Sequence, residues 1–154
     1  MEIPARTLRY LMPSRYVPTD EVQPVLARDF PGLSGGALIA AVSDWIRTEF
    51  VYAPGASDAR TTAFDTIQSR NGVCRDFTHV LIALARSAAI PARYASVYAP
   101  GVEPQDFHAV AEVYLNGSWH LVDPTGMAQP NAMARVGAGM DAAEVAFLTA
   151  FGWI

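Results

Sequence analysis

Residues 107–122 read Phe-His-Ala-Val-Ala-Glu-Val-Tyr-Leu, then Asn116-Gly117, then Ser-Trp-His-Leu-Val. An Asn-Gly step between two β-prone runs is the strongest short-range signal for a hairpin, because both central positions of a type I′ turn need positive φ. The step constrains more than the turn. A two-residue loop pairs Leu115 with Ser118, and the register of the whole ribbon follows. Counting back along the ladder, Val110 faces Asp123 and His108 faces Thr125. Side chains alternate between faces, so His108, Val110, Asp123 and Thr125 share one side. His108 and Asp123 become diagonal neighbours, with backbones roughly 7–8 Å apart and side chains within reach. A carboxylate so placed accepts the imidazole N–H, fixes the tautomer and stabilises the imidazolium. The same register puts His120 on the opposite face, as a strand residue with no part in the pair. Glu112 shares the His108 face but lies farther along, a poorer orienting group.

Upstream, Phe77, Val80, Leu81, Leu84, Ala85 and Ala88 recur at the spacing of an amphipathic helix beginning at Cys74. It ends before Ile90-Pro91, since a residue preceding proline resists helical geometry. Gly72 permits a sharp turn just ahead of it. Cys74, the single cysteine of the chain, therefore stands at the helix head. Its sulfur lies beside unpaired backbone N–H groups at the positive end of the dipole, which favours thiolate. The Cys74 N–H is in turn a donor for a tetrahedral oxyanion. A free cysteine is also a good small apolar core residue, so position alone leaves a structural role equally open. A thiol, an imidazole and a carboxylate in the order Cys74, His108, Asp123 are the parts of a thiol acyl-transfer enzyme. His79 lies five residues past the thiol, about 140° around the helix, and reads as structural. Asp76, in the first turn, compensates the dipole.

The remaining text is helical first and extended later. Pro4, Pro13 and Pro18 keep residues 1–18 irregular. Thr19 and Asp20 cap a helix toward Phe30, stopped by Pro31-Gly32. A longer helix follows from roughly Ala37 to Phe50, with Leu38, Ile39, Val42, Ile46 and Phe50 facing inward and Trp45 close by. Residues 54–58 form a loop, and Thr62 with Asp65 make a capping box for a short helix toward Arg70. Arg93–Tyr98 is a strand. Asp141-x-x-Glu144 opens a last helix ending near Gly152. Helices followed by an antiparallel sheet define an α+β fold in a single domain, 1–154.

Several function classes are disfavoured. The net charge is −4 and the eleven basic residues are scattered, whereas phosphate binding needs clustered cations; no nucleic acid partner is expected. No apolar run approaches the roughly 18 residues of a membrane helix, and the first residues lack the apolar core of a signal peptide. No membrane association and a cytoplasmic location are the expectations. Cys, His and Asp could serve as three zinc ligands, but no C-x-x-C or H-E-x-x-H spacing supports a metal, and no EF-hand loop supports calcium. Neither a metal nor a cofactor is expected.

Four blocks also carry a resemblance: Gly72-Val73-Cys74-Arg75-Asp76-Phe77-Thr78-His79, Ile90-Pro91-Ala92-Arg93-Tyr94, Phe107-His108-Ala109-Val110-Ala111-Glu112-Val113 and Trp119-His120-Leu121-Val122-Asp123-Pro124-Thr125. Together they resemble the core of the transglutaminase-like superfamily, and more narrowly its bacterial cysteine peptidases. Tyr10–Tyr16 and the stretch from Asp141 to Gly152 are similar to the same subgroup. The resemblance implies a papain-like thiol fold with Cys74 as nucleophile, His108 as base and Asp123 as orienting acid. Family members often carry an aromatic residue two after the histidine, where this chain has Val110. The subgroup usually has more β structure on either side, so a core excised from a longer chain is expected. The implied reaction is acyl transfer through a thioester, on a peptide or a glutamine side chain of a protein substrate. Hydrolysis by a peptidase or amidase is preferred; amine transfer by a transglutaminase, or a peptide-binding module without turnover, are the alternatives. Tyr52 and Trp45 are the candidates for a second oxyanion or substrate-positioning group, Trp45 having core packing as its other role. The oligomeric state is left open.

Overall fold

In the computed structural model, which describes residues 2–102 and 107–145, a 3₁₀ helix (Ala5–Leu11) precedes α1 (Thr19–Asp29), α2 (Gly35–Glu49), β1 (Val51–Tyr52) and α3 (Ala63–Ser69). Next come β2 (Asn71–Gly72), α4 (Cys74–Ser87), β3 (Ala92–Tyr98), β4 (Phe107–Leu115) and β5 (Ser118–Val122). A 3₁₀ turn (Pro130–Ala132) and β6 (Ala134–Gly139) complete the order. Asn116 and Gly117 both take positive φ, 53° and 84°, as a type I′ turn requires. Leu115 pairs with Ser118, and the ladder runs in that register to Ala111 opposite Val122. The strand order is β5-β4-β3-β6, all antiparallel.

This is the α+β class expected, with four differences of detail. The first segment is not irregular: its prolines flank a one-sided 3₁₀ helix in which Thr7 is buried and bonds back to the Pro4 carbonyl at 2.7 Å. Thr19 and Asp20 lie inside α1 rather than capping it, Pro18 being the N-cap residue. The short parallel pair β1–β2 and the edge strand β6 carry too few residues, or too much glycine and alanine, to show a strand period. Residues 141–145 form turns; the rest of the expected last helix lies outside the described residues.

The two central strands, β3 and β4, are buried on both faces. One face of β3 and β4 (Ala92, Tyr94, Ala109, Ala111, Val113) packs with α1–α4 in the main core. The other (Ala95, Val97, Val110) packs against Ala99, Val102 and Ala128 in a smaller one. The short helix α3 has the capping box expected: Thr62 Oγ1 accepts from the Asp65 N–H and Asp65 accepts from the Thr62 N–H. The helix stops where Arg70 turns left-handed, φ 60°. That turn, and not Gly72, redirects the chain toward α4.

Gly72 has a different task. A methyl group on it would lie 2.7 Å from Asp76 Cβ and 2.9 Å from Asp76 Oδ2. Asp76 is buried and accepts from the Val73 N–H at 2.9 Å, from Ser57 Oγ at 2.5 Å and from the Arg75 guanidinium at 3.1 Å. It compensates the dipole, as expected, and also pins loop 53–58 to the head of α4. Gly72→Ala forces these groups apart, and overpacking of this kind costs roughly 1–3 kcal/mol. Urea unfolding should show that loss; a variant as stable as the parent would contradict the packing described.

Candidate active site

Three elements meet at the head of α4. The helix brings Cys74, partly buried at its first position. The start of β4 brings His108, and the residue after β5 brings Asp123, both nearly inaccessible. His108 Nε2 and Asp123 Oδ2 are 2.8 Å apart, the diagonal contact that the hairpin register predicts. With Nε2 turned to the carboxylate, the other ring nitrogen is left for the thiol, and a hydrogen bond to Cys74 is among the interactions acting on this imidazole.

The electrostatics follow from these neighbours. Burial lowers the affinity of His108 for a proton, but the hydrogen bonds to Asp123 and Cys74 and the charges of both outweigh it, raising the pKa to about 9. Burial of Asp123 works to raise its pKa, yet the bonds from His108 and Thr125 hold it below the ordinary carboxylate value. The carboxylate sits in a small nest. Thr125 N–H donates to Oδ1 at 2.9 Å, Thr125 Oγ1 donates to Oδ1 at 2.7 Å, and Ala128 N–H donates to Oδ2 at 2.9 Å. Thr125 Oγ1 also lies 3.4 Å from His108 Nε2. Thr125 and Ala128 are additions to the expected site. The Asp-x-Thr spacing, in which an Asp side chain captures backbone and hydroxyl two residues on, was the available signal.

The two further candidates separate. The Tyr52 hydroxyl interacts with both the Cys74 backbone N–H and its side chain; burial first, and then the charge at Cys74, raise its pKa. Its ring meets Phe77 edge-on at 6.0 Å. Trp45 instead stands edge-on to Phe30 at 5.3 Å and Phe50 at 4.8 Å, under the Arg70 guanidinium at 4.7 Å. Those contacts are its packing role.

The other polar residues lie as the register and helix geometry predict. His120 is exposed and bonds to Ser118 Oγ and the Leu115 carbonyl. Glu112 is tied to Arg93 at 3.2 Å and Arg135 at 3.3 Å. His79 is fully buried, stacked on Tyr16 with ring centres 5.1 Å apart. Among the described residues no group of three or more His, Cys, Asp or Glu is placed to hold a metal ion. No helix among them is long and apolar enough to cross a membrane.

The family model of the transglutaminase-like superfamily matches residues 27–124, well over half of the chain and the span from α1 through Asp123. The chain belongs to the transglutaminase-like superfamily. An uncharacterized protein of Mycobacterium leprae is 29% identical over 147 residues, 88% of this chain and 52% of that protein. The crystal structure of a "putative cysteine protease from Cytophaga hutchinsonii" superposes with a TM-score of 0.91 at 38% identity, over 95% of this chain and 51% of that one. The periplasmic domain of TgpA from Pseudomonas aeruginosa, bound to ethylmercury, superposes with a TM-score of 0.60 at 26% identity, covering 84% of this chain and 52% of that one. The chain thus spans about half the length of each of these three proteins.

For this transglutaminase-like domain the His108–Asp123 pair sets a pH signature. The folded-state pKa of His108 is raised from 6.5 to about 9, so its contribution to stability is complete below about pH 6.5 and fades as pH rises through 9. Thermal unfolding of wild type and Asp123→Asn should therefore differ most near pH 6 and converge toward pH 9. A gap that stays constant or widens over that interval would contradict the pairing.

Proposed function

We propose that this domain is a cysteine peptidase or amidase that cleaves an amide bond of a peptide or protein through a Cys74 thioester. The observation that carries the reading is one imidazole with two partners: His108 lies 2.8 Å from Asp123, and the Cys74 side chain at the head of α4 acts on the same ring. In the reaction, His108 holds the proton it shares with the Cys74 side chain while the sulfur attacks the carbonyl carbon. The C–N bond breaks, the amine leaves with the proton that His108 returns, and the acyl group stays on sulfur. Water then gives a proton to His108 and hydroxide to the acyl carbon, releasing the acid and restoring the thiol. Asp123 keeps one tautomer of the imidazole and balances its charge.

The carbonyl oxygen gathers charge at each attack. The Cys74 N–H at the head of α4 is one donor for it, and the Tyr52 hydroxyl, already at that N–H, is the second. A primary amine in place of water would complete a transglutaminase reaction with the same groups. TgpA was crystallised bound to ethylmercury, a thiol-seeking reagent; Cys74 is the single thiol this chain can offer one.

The reading is tested with a fluorogenic peptide library containing glutamine, with and without a primary amine, and with iodoacetamide. Wild type should turn over part of the library and alkylate rapidly at Cys74 near neutral pH. Cys74→Ala and His108→Ala should each lose about 10³-fold or more in rate, and Asp123→Ala less than either. Tyr52→Phe should lose about 10²- to 10³-fold in kcat, as removal of one oxyanion donor does. Alkylation of wild type no faster than that of a free cysteine, with no turnover, would refute it.

A further inference from the structure

We infer that Arg47 is a positioning residue for the Asp123–His108 pair, holding the backbone of the orienting residue from the last turn of α2. The need for such a tie is visible in the sheet. The β4–β5 ladder ends with Ala111 opposite Val122, so Asp123 stands one residue beyond the last paired position. Its side chain is held by a nest that belongs to its own turn, residues 125 and 128. A turn fixes the carboxylate relative to itself and leaves open where the whole turn sits relative to α4 and Cys74.

Arg47 supplies that placement. It lies in the last turn of α2, whose Leu38, Val42 and Ile46 are wholly buried. Its Nη2 donates to the Asp123 carbonyl at 3.0 Å across 76 residues of sequence. The only other donor to that carbonyl among the described residues is the Gly126 N–H, 3.2 Å away within the same turn. Gly126 is shaped to admit the guanidinium: its φ is +72°, and a methyl group on it would stand 3.0 Å from Arg47 Nε. Arg47, Asp123, Thr125 and Gly126 line one cleft of about 510 Å³, and the Arg47 side chain is 44% exposed. The neighbouring Asp44, 3.7 Å away and 75% exposed, contributes little to holding the cation. The helix therefore fixes the guanidinium, the guanidinium fixes the Asp123 backbone, and the carboxylate carries that placement to His108.

This inference rests on the catalytic reading above, and the test separates the two. Iodoacetamide alkylation of Cys74 is followed against pH in wild type, Arg47→Ala, Arg47→Lys, Gly126→Ala and Asp44→Asn, alongside kcat and KM on a cleaved library peptide. Arg47→Ala should lower the neutral-pH alkylation rate and kcat by about tenfold to a hundredfold, move the alkylation profile along the pH axis, and leave KM nearly unchanged. Arg47→Lys should fall between, Gly126→Ala should resemble Arg47→Ala, and Asp44→Asn should match wild type. Because the cleft is open, guanidinium chloride at low millimolar concentration should restore Arg47→Ala, while sodium chloride of equal ionic strength should not. A folded Arg47→Ala with an unaltered profile would overturn the inference alone. So would a loss that follows the melting temperature and is indifferent to guanidinium. Should Arg47→Ala fail to fold, unaltered profiles in Arg47→Lys and Gly126→Ala would overturn it equally. A wild type that alkylates like an ordinary thiol would overturn the catalytic reading and this inference with it.

Discussion

The burial of α4 on every side governs the rest of the structure. From Asp76 to Arg86 each residue of this helix is buried, so the polar ones must find partners inside the protein or destabilise it. Each finds them in a different neighbour. Thr78 donates to the Ala109 carbonyl of β4 at 3.2 Å. His79 accepts from the Ala142 N–H at 3.1 Å. Arg86 donates to the carbonyls of Ala92, Met12 and Met140 and to Ser14 Oγ. Asp76 reaches Ser57. The helix that presents the thiol is thus fastened to both ends of the described chain, to the sheet and to the loop beside β1. Apolar packing alone is non-directional; these bonds fix how the helix is rotated and how far its first residue projects toward His108.

The Thr78–Ala109 bond has a particular consequence. It joins the second turn of α4 to the residue after His108. The distance between the head of the helix and the imidazole is therefore set one residue away from the chemistry on the strand side. On the other flank, Asp123 lies past the end of the ladder, where the sheet no longer constrains it. Geometry of the site is accordingly firm from α4 to His108 and depends on side-chain ties from His108 outward.

How much of this could be read from the amino-acid order divides along the same line. Period and turn chemistry sufficed for α1–α4, the β3–β5 meander and the His108–Asp123 diagonal, because a type I′ turn at Asn116-Gly117 leaves one register. The apolar positions of α4 predicted a helix with a polar outer face. That face is covered instead, since Asp76, Thr78, His79 and Arg86 bond inward, and no spacing rule distinguishes an inward polar residue from a solvated one. β6 was not legible because Gly137 and Gly139 weaken its strand signal; Gly139 is small where Glu144 and Val145 press against it, a methyl there lying 2.8 Å from Glu144 Cβ. The ties from Arg47 to Asp123 and from Arg86 to Met12, Ser14 and Met140 span more than 50 residues each, beyond any local pattern.

The two buried histidines show what the surroundings make of one side chain. His79 and His108 are both nearly inaccessible, so desolvation disfavours the charged ring in each. Around His79 burial prevails: Asp141 opposes it, the charges of Arg75 and Arg86 add to it, and the pKa falls to about 3. Its ring stays neutral and accepts a backbone N–H, which is a fastening. Around His108 a directly bonded carboxylate and the Cys74 side chain prevail, and the pKa rises to about 9. The first ring stabilises the fold above about pH 6.5 and loses that contribution as acid forces a proton onto it; the second does the reverse as pH climbs. Near neutrality both contributions are present, and only the His108 ring holds a proton, next to the Cys74 side chain. In the proposed reaction, acid–base work therefore belongs to the histidine on the strand, because the helix histidine has no proton to exchange in the range where the pair with Asp123 is intact.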